Sequence, residues 1–359
     1  MIHATPPIDG ALTAALADLD SLHAELAHEL GRAAPWDGPL RRHARVDSVV
    51  SSVSIEGYVV DLDDARALVA GATPPSGDSD ERWAVACYAR AMDHVRVMSD
   101  DPAFRWLDRV VLDLHFDACL FQRDRSPGRW RVGPISVTAP PGGHVYAAPD
   151  ADTIPTLVDE ALAWLAGPGA DTHLLVRAAM AHLHAVSIHP FRDGNGRIAR
   201  ILQSLVLARG GILAPEFASI EPFLATNTDD YYRQLQSAQG PAYDPSRSAR
   251  AWVEFCVDGH LQQARSFATR MRDAARRWVA LEALAVERGW PERIVVALEQ
   301  ALAGSLTRGS YLLETDVSTP TAALDLRRLV DAGLIDQTGG GRSTSYTASA
   351  ALREIVTRS

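Results

Sequence analysis

His189-Pro190-Phe191-Arg192-Asp193-Gly194-Asn195-Gly196-Arg197-Ile198-Ala199-Arg200 is the stretch on which the reading of this chain turns. Apolar residues at helical spacing precede it, from Thr172 to Ile188, and follow it, from Gly196 to Arg209. Gly194, Asn195 and Gly196 tolerate positive φ, so successive N–H groups can turn inward as an anion nest. The nest falls at the start of the second helix, where unpaired donors and the helix dipole favour phosphate. Arg197 and Arg200 are three apart, share a helix face and can aim two guanidinium forks at one anion. Asp193 beside a polyphosphate site suits Mg2+, which takes one or two carboxylates together with phosphate oxygens. His189, held by Pro190, suits a general base for an incoming hydroxyl.

Bulk properties narrow the chemistry further. A chain of 359 residues is too long for one small core, so two or three cooperating units are expected. Its composition, 47% hydrophobic and 22% charged, is that of an ordinary folded protein. A net charge of −10 argues against coating nucleic acid or anionic membrane by bulk electrostatics. The chain has no lysine, and all 35 basic residues are arginine. A Walker phosphate loop and Schiff-base catalysis both need lysine, so both are excluded. Anions must be held by arginine forks, backbone N–H groups or metal. Cys87, Cys119 and Cys256 are far apart and read as small buried hydrophobes in a reducing compartment. The first residues carry no leader pattern and no apolar run is long enough to span a bilayer, so no membrane and a cytoplasmic location are expected.

Most of the chain reads as helix: Leu12 to Leu30, Arg42 to Ile55, Arg82 to Val97, Trp106 to Cys119 and Ile154 to Leu165, besides the two around the loop. Asp229 to Ala238, Ser248 to Cys256 and a long stretch to about Arg288 follow. Between Gly128 and Pro149 the pattern changes. Trp130, Val132, Ile135 and Val137, then Val145 and Tyr146, flank Pro140-Pro141-Gly142-Gly143 and predict a short hairpin. After Gly289, helices are expected at Pro291 to Leu302, Arg308 to Glu314 and Thr319 to Ala332, the last with Thr319 as N-cap. Leu334-Ile335, the turn Gly339-Gly340-Gly341 and Ser345-Tyr346-Thr347 read as a small β-wing, and this tail resembles a winged helix-turn-helix domain. The expected division is a helical region over 1–100, a core over 101–260, a connecting helix over 261–288 and the tail over 289–359. From Val286 to Ser359 the tail has eight arginines against nine acids. That balance favours docking of protein, or pairing as a homodimer, over reading DNA.

The loop matches the Fic signature H-x-F-x-(D/E)-G-N-G-R-x-x-R at every specified position, and the chain resembles the Fic family, more weakly from about Arg42 to Gly259. The resemblance implies a mainly α fold with a β-hairpin flap and an enzyme that moves AMP from Mg-ATP to a Ser, Thr or Tyr hydroxyl of a target protein. His189 would be the base and Asp193 the Mg2+ ligand. Gly194, Asn195 and Gly196 would cradle phosphates, and Arg197 and Arg200 would bind the β- and γ-phosphates. Trp130 to Tyr146 would be the flap, which aligns the target by strand addition. Ser52-Val53-Ser54-Ile55-Glu56-Gly57 matches the inhibitory pattern (S/T)-x-x-x-E-(G/N). Ser52 and Glu56 share a helix face, Gly57 can end that helix, and Glu56 at its negative pole calls for a cationic partner. The resemblance makes that partner Arg200. Tyr231 corresponds to a family residue near the nucleotide. An arginine often found three places earlier is Thr228 here, so an adenine contact and a core aromatic both stay open. His182, seven residues before His189, is expected to be a packed core histidine. Two alternatives remain beside AMP transfer: a DNA-binding regulator with a sensory or silent Fic unit, and a Fic enzyme that removes AMP.

Overall fold

A computed structural model describes residues 1–31, 34–139, 144–304, 306–340 and 344–358. The chain divides into two compact units: Met1–Arg32 with His43–Phe267, and Ala33–Arg42 with Ala268–Ser359.

In the first unit the helices are α1 (Gly10–Leu30), α2 (Asp37–Ser54, begun in the second unit), α3 (Leu62–Val69), α4 (Asp80–Asp100) and α5 (Asp108–Cys119). A hairpin of β1 (Ser136–Ala139) and β2 (His144–Ala147) comes next. Then follow α6 (Ile154–Ala166), α7 (Leu174–Ile188), α8 (Asn195–Gly210), α9 (Glu221–Thr226), α10 (Thr228–Gln239) and α11 (Arg250–Glu287), which runs on into the second unit. The centre is the antiparallel pair α7 and α8, with α4 and α5 packed on it. Almost every residue of α7 from Leu175 on, and of α8 up to Ala208, is buried. A helix enclosed on all sides needs apolar or internally paired residues all round, and several polar ones here are paired, although the buried His184 ring hydrogen-bonds through neither nitrogen. His182 is one of the paired residues, fully buried between Gln203 Oε1 (2.7 Å) and the Tyr231 hydroxyl (3.1 Å).

The C-terminus of α2 is shaped by glycine. Gly57, at φ +87°, lets its own N–H reach Ser54 O (2.9 Å) and that of Tyr58 reach Val53 O (3.2 Å). This closure satisfies carbonyls left open at the helix end, and it places Glu56 as the capping residue.

The hairpin is shorter than the sequence pattern suggests. Strand pairing runs from Ser136 opposite Ala147 to Ala139 opposite His144, so Trp130 and Val132 lie outside it, and Val132 is almost wholly exposed. The expected turn Pro140-Pro141-Gly142-Gly143 lies outside the described residues. What holds the preceding segment is the Arg131 side chain, buried against main-chain carbonyls of Gly133, Pro149 and His189.

The second unit contains α12 (Ile294–Leu302), β3 (Leu306–Thr307), α13 (Arg308–Glu314), α14 (Thr319–Asp331), β4 (Ile335–Thr338), β5 (Ser345–Ala348) and α15 (Ala350–Arg358). Its antiparallel sheet has the order β3-β5-β4. The N-cap of α14 is Ser318, whose hydroxyl accepts from Thr321 N, and Thr319 is the first helical residue instead of the cap expected for it. Ser at this position satisfies one of the free N–H groups and leaves Pro320 in the first turn, where its missing donor is harmless. The buried carboxylate of Asp325 is held by Arg293 (2.7 Å) and by the Tyr311 hydroxyl (3.1 Å) at the heart of this core. Gly341 and Arg342 of the expected wing lie outside the described residues.

Candidate active site

The signature loop is a tight connection between α7 and α8, built by two left-handed residues. His189 ends α7 at φ 52°, ψ 55°, and its N–H still reaches Ala185 O at 3.0 Å. Such a conformation is uncommon for a residue with a side chain and concentrates at functional positions. Gly194 sits at φ +75°, and a Cβ there would lie 2.4 Å from Cys119 Sγ, so only glycine fits.

Asn195 clamps the loop with its side chain. Its Oδ1 accepts from Phe191 N (2.9 Å) and its Nδ2 donates to Phe191 O (2.8 Å). Phe191 is buried and stacked on His115, with ring centroids 3.5 Å apart and the planes parallel. His115 donates from Nε2 to Asp193 O and accepts from Gly128 N at Nδ1, each at 2.9 Å, which fixes one neutral tautomer. Burial pushes its pKa down to about 4. From the other side Arg131 donates from Nε to His189 O (2.9 Å) and from its backbone to Pro190 O. The loop is therefore rigid before anything binds.

The half-buried His189 imidazole hydrogen-bonds through Nδ1 to Val186 O at 3.2 Å. A carbonyl can only accept, so Nδ1 carries the proton and Nε2 keeps a free lone pair. Burial lowers its pKa to about 4, and Arg131 adds to that, so the ring is neutral at pH 7.

Asp193 is half-exposed. Its Oδ2 accepts from Gln122 Nε2 (3.0 Å) and its Oδ1 from Gly194 N (2.6 Å). No cluster of three or more His, Cys, Asp or Glu suited to a metal occurs among the described residues. A single carboxylate beside an anion cradle fits Mg2+, whose remaining ligands are phosphate oxygens and water.

Both signature arginines are buried, and both already hold an anion. The Glu56 carboxylate places Oε2 2.6 Å from Arg197 Nε and Oε1 2.8 Å from an Arg200 terminal nitrogen. The sequence pairing gave it Arg200 alone; it bridges the two. Arg200 also donates to Ser52 Oγ (2.6 Å) and Ser52 O (3.1 Å). Arg197 donates to Gln122 Oε1 (2.7 Å) and stands beside the edge-to-face pair of the Tyr58 and Phe121 rings, 5.8 and 5.4 Å from their centroids. A Cβ on Gly196 would come within 2.9 Å of Glu56 Oε1, so the carboxylate stands over the first turn of α8. Burial alone would raise the Glu56 pKa, but Arg197 and then Arg200 outweigh it and hold the carboxyl below its usual range. The cradle thus fits an anion by the strongest test available, the intramolecular one it contains.

Residues 106–207 match the Fic/DOC family. The chain contains a Fic domain. Among curated proteins, the protein adenylyltransferase Fic of Aedes aegypti is 29% identical over 172 residues, 47% of this chain and 33% of that one. The protein adenylyltransferase fic-1 of Caenorhabditis briggsae is 29% identical over 200 residues, 53% of this chain and 36% of that one. The chain thus spans about a third of the length of the curated relatives it matches. The crystal structure of a Fic family protein from Desulfovibrio desulfuricans G20 shares the fold, with a TM-score of 0.62, 23% identity and coverage of 97% of this chain and 98% of that one.

Within the Fic domain and its flanks, the structure gathers His189, Asp193, Gly194, Asn195, Gly196, Arg197, Arg200, Ser52 and Glu56 in one place. Tyr231, for which the sequence leaves open both an adenine contact and a core aromatic, is 1% exposed, with its hydroxyl on His182 and its ring against Trp252, a packed position. Four contributors were absent from the sequence reading: Gln122, His115, Arg131 and Tyr58. Each acts through a contact between segments distant in sequence, and only Gly57, by marking where α2 ends, hinted that Tyr58 would turn back onto the site. No helix among the described residues is long and apolar enough to cross a membrane.

Proposed function

We propose that this chain transfers AMP from Mg-ATP to a Ser, Thr or Tyr hydroxyl of a target protein, and that Glu56 restrains it. The observation that carries the proposal is the Glu56 carboxylate seated between Arg197 and Arg200 at the start of α8, a few residues from a neutral histidine. An anion-binding site already filled by the chain's own anion is what a self-restrained phosphate site requires.

In the reaction, His189 Nε2 takes the proton of the target hydroxyl as its oxygen bonds to the α-phosphorus. The bond from that phosphorus to the bridging oxygen breaks, and pyrophosphate leaves. Arg197 and Arg200, released from Glu56, hold the β- and γ-phosphates, and the N–H groups of the Gly194–Gly196 turn lie along the chain of phosphates. Asp193 would hold Mg2+, which neutralises phosphate charge. The catalytic gain comes from positioning and preset charge, as phosphorus transfer demands. β1 pairs only with β2 among the described residues, and its other edge suits strand addition by an extended target segment.

Incubation of Glu56→Gly with ATP labelled on the α- or the γ-phosphate tests the reading. Protein should gain the α label and not the γ label, and Glu56→Gly combined with His189→Ala should gain neither. Transfer of the γ label, or of nothing, overturns it.

For the second unit we propose a winged helix that docks protein. Leu313 on α13 and Leu324 on α14 are 88% and 58% exposed, and the tail has no net basic excess. A DNA-binding role predicts the opposite surface, and a salt-dependent gel shift by the full chain would favour it.

A further inference from the structure

One amide joins the turn after Glu56, the Arg197 guanidinium and the Asp193 carboxylate. Gln122 follows α5 and is half-buried, with its backbone N–H on Cys119 O. Its Nε2 donates to the Tyr58 hydroxyl (3.1 Å) and to Asp193 Oδ2 (3.0 Å), while its Oε1 accepts from Arg197 (2.7 Å). One orientation of the amide satisfies all three partners. Turned over, the amide would set its NH2 against the Arg197 guanidinium and its oxygen against the Asp193 carboxylate, two repulsions in place of two bonds.

Tyr58 belongs to the restraining turn. Its N–H closes the end of α2 one residue after Gly57, and its ring covers Arg197. The tether from Gln122 therefore grips the turn that carries Glu56, two residues away. The same amide aims Arg197 and fixes the rotamer of Asp193, whose other oxygen is held by Gly194 N.

We propose that Gln122 is a positioning residue with two duties. It latches the Glu56 turn onto the site through Tyr58, and it keeps Asp193 and Arg197 aimed for Mg-nucleotide when the turn is released. This deepens the proposed function and rests on it. It involves no contact of Gln122 with the reacting atoms.

The test separates the duties with Tyr58→Phe and Gln122→Met, each made in the full chain with Glu56 present and in the Glu56→Gly background. Tyr58→Phe keeps the ring and removes only the latch. With Glu56 present it should raise AMP incorporation three- to tenfold, the range expected for loss of one hydrogen bond. That effect should vanish in the Glu56→Gly background. Gln122→Met in the Glu56→Gly background should weaken calorimetric binding of ATP at least fivefold with Mg2+ and clearly less with EDTA, and should raise KM for Mg-ATP more than it lowers kcat. An unchanged Tyr58→Phe chain overturns the latch. Equal loss of affinity with and without Mg2+, or none, overturns the aiming role. Absence of label transfer by Glu56→Gly itself would count against the proposed function, and the calorimetry would still decide the role of Gln122.

Discussion

Replacing Glu56 by Gln removes one negative charge and almost no volume, and the structure says what that should cost. Arg197 and Arg200 are at most 1% exposed, and the carboxylate between them is 19% exposed on its side chain. After the change, Arg197 keeps only neutral acceptors at Gln122 Oε1 and Ala118 O, beyond the more distant Asp193, and Arg200 keeps those of Ser52. Breaking a buried ion pair from one side costs about 3–5 kcal/mol because a charge is left buried without compensation. Partial exposure of the carboxylate and the surviving amide acceptor reduce this to roughly 2–4 kcal/mol. For a unit of more than two hundred residues, about 2–4 °C of Tm follows each kcal/mol, so its transition should fall by roughly 4–16 °C. A ligand anion should restore it. Tripolyphosphate at a hundred times its Kd would return about 2.7 kcal/mol, while the unaltered chain, with its cradle filled, should gain much less. Differential scanning calorimetry with and without tripolyphosphate measures both effects. A Tm unchanged by Glu56→Gln, or a tripolyphosphate shift as large in the unaltered chain, would refute the reasoning.

Other outcomes follow from the same contacts. The folded-state pKa of Glu56 is lowered, so the stability its ion pairs contribute is complete above the ordinary carboxylate range and is lost only as pH falls through that lower value; AMP incorporation by the unaltered chain should therefore stay restrained from pH 8 down to pH 5. His189 is held at about 4, so kcat/KM of Glu56→Gly should be flat between pH 6 and 8, with no inflection near the ordinary histidine value and a fall only toward pH 4. Gly194→Ala forces a Cβ onto Cys119 Sγ at a positive φ, and should abolish Mg-ATP binding by Glu56→Gly in calorimetry while circular dichroism keeps its helical signal. Asn195→Ala unpins both polar groups of Phe191, and should lower the Tm by several degrees and weaken nucleotide binding as well.

The sequence carried the helices around the site because their apolar spacing was strong and their ends were punctuated by glycine or proline. Arg308 to Glu314 and Ile154 to Leu165 come out within a residue of the structure. Three helices escaped it. Leu62–Val69 and Glu221–Thr226 are short, and Ala350–Arg358 is a short helix directly after a strand. The helix Arg250–Glu287, read as two pieces, is continuous, since Gly259 lies within it close against Phe223 and ends nothing. At the site, the residues legible in advance were those whose chemistry is local: a nest, two arginines on one face, a histidine before proline. Glu56 was legible only through a pattern, and its second partner was not. Arg197 Nε comes within reach because the α2 turn crosses the start of α8, a matter of packing that spacing along one helix cannot express. Gln122 and His115 were invisible for the same reason. Their value lies in contacts across 71 and 78 residues of chain.

We propose that the Glu56 carboxylate occupies the place of an ATP phosphate on Arg197 and Arg200. Calorimetric titration of Mg-ATP into the unaltered chain and into Glu56→Gly tests it directly. Binding to Glu56→Gly at least tenfold tighter is the predicted result; equal affinity for the two chains, or no binding to either, would contradict the account.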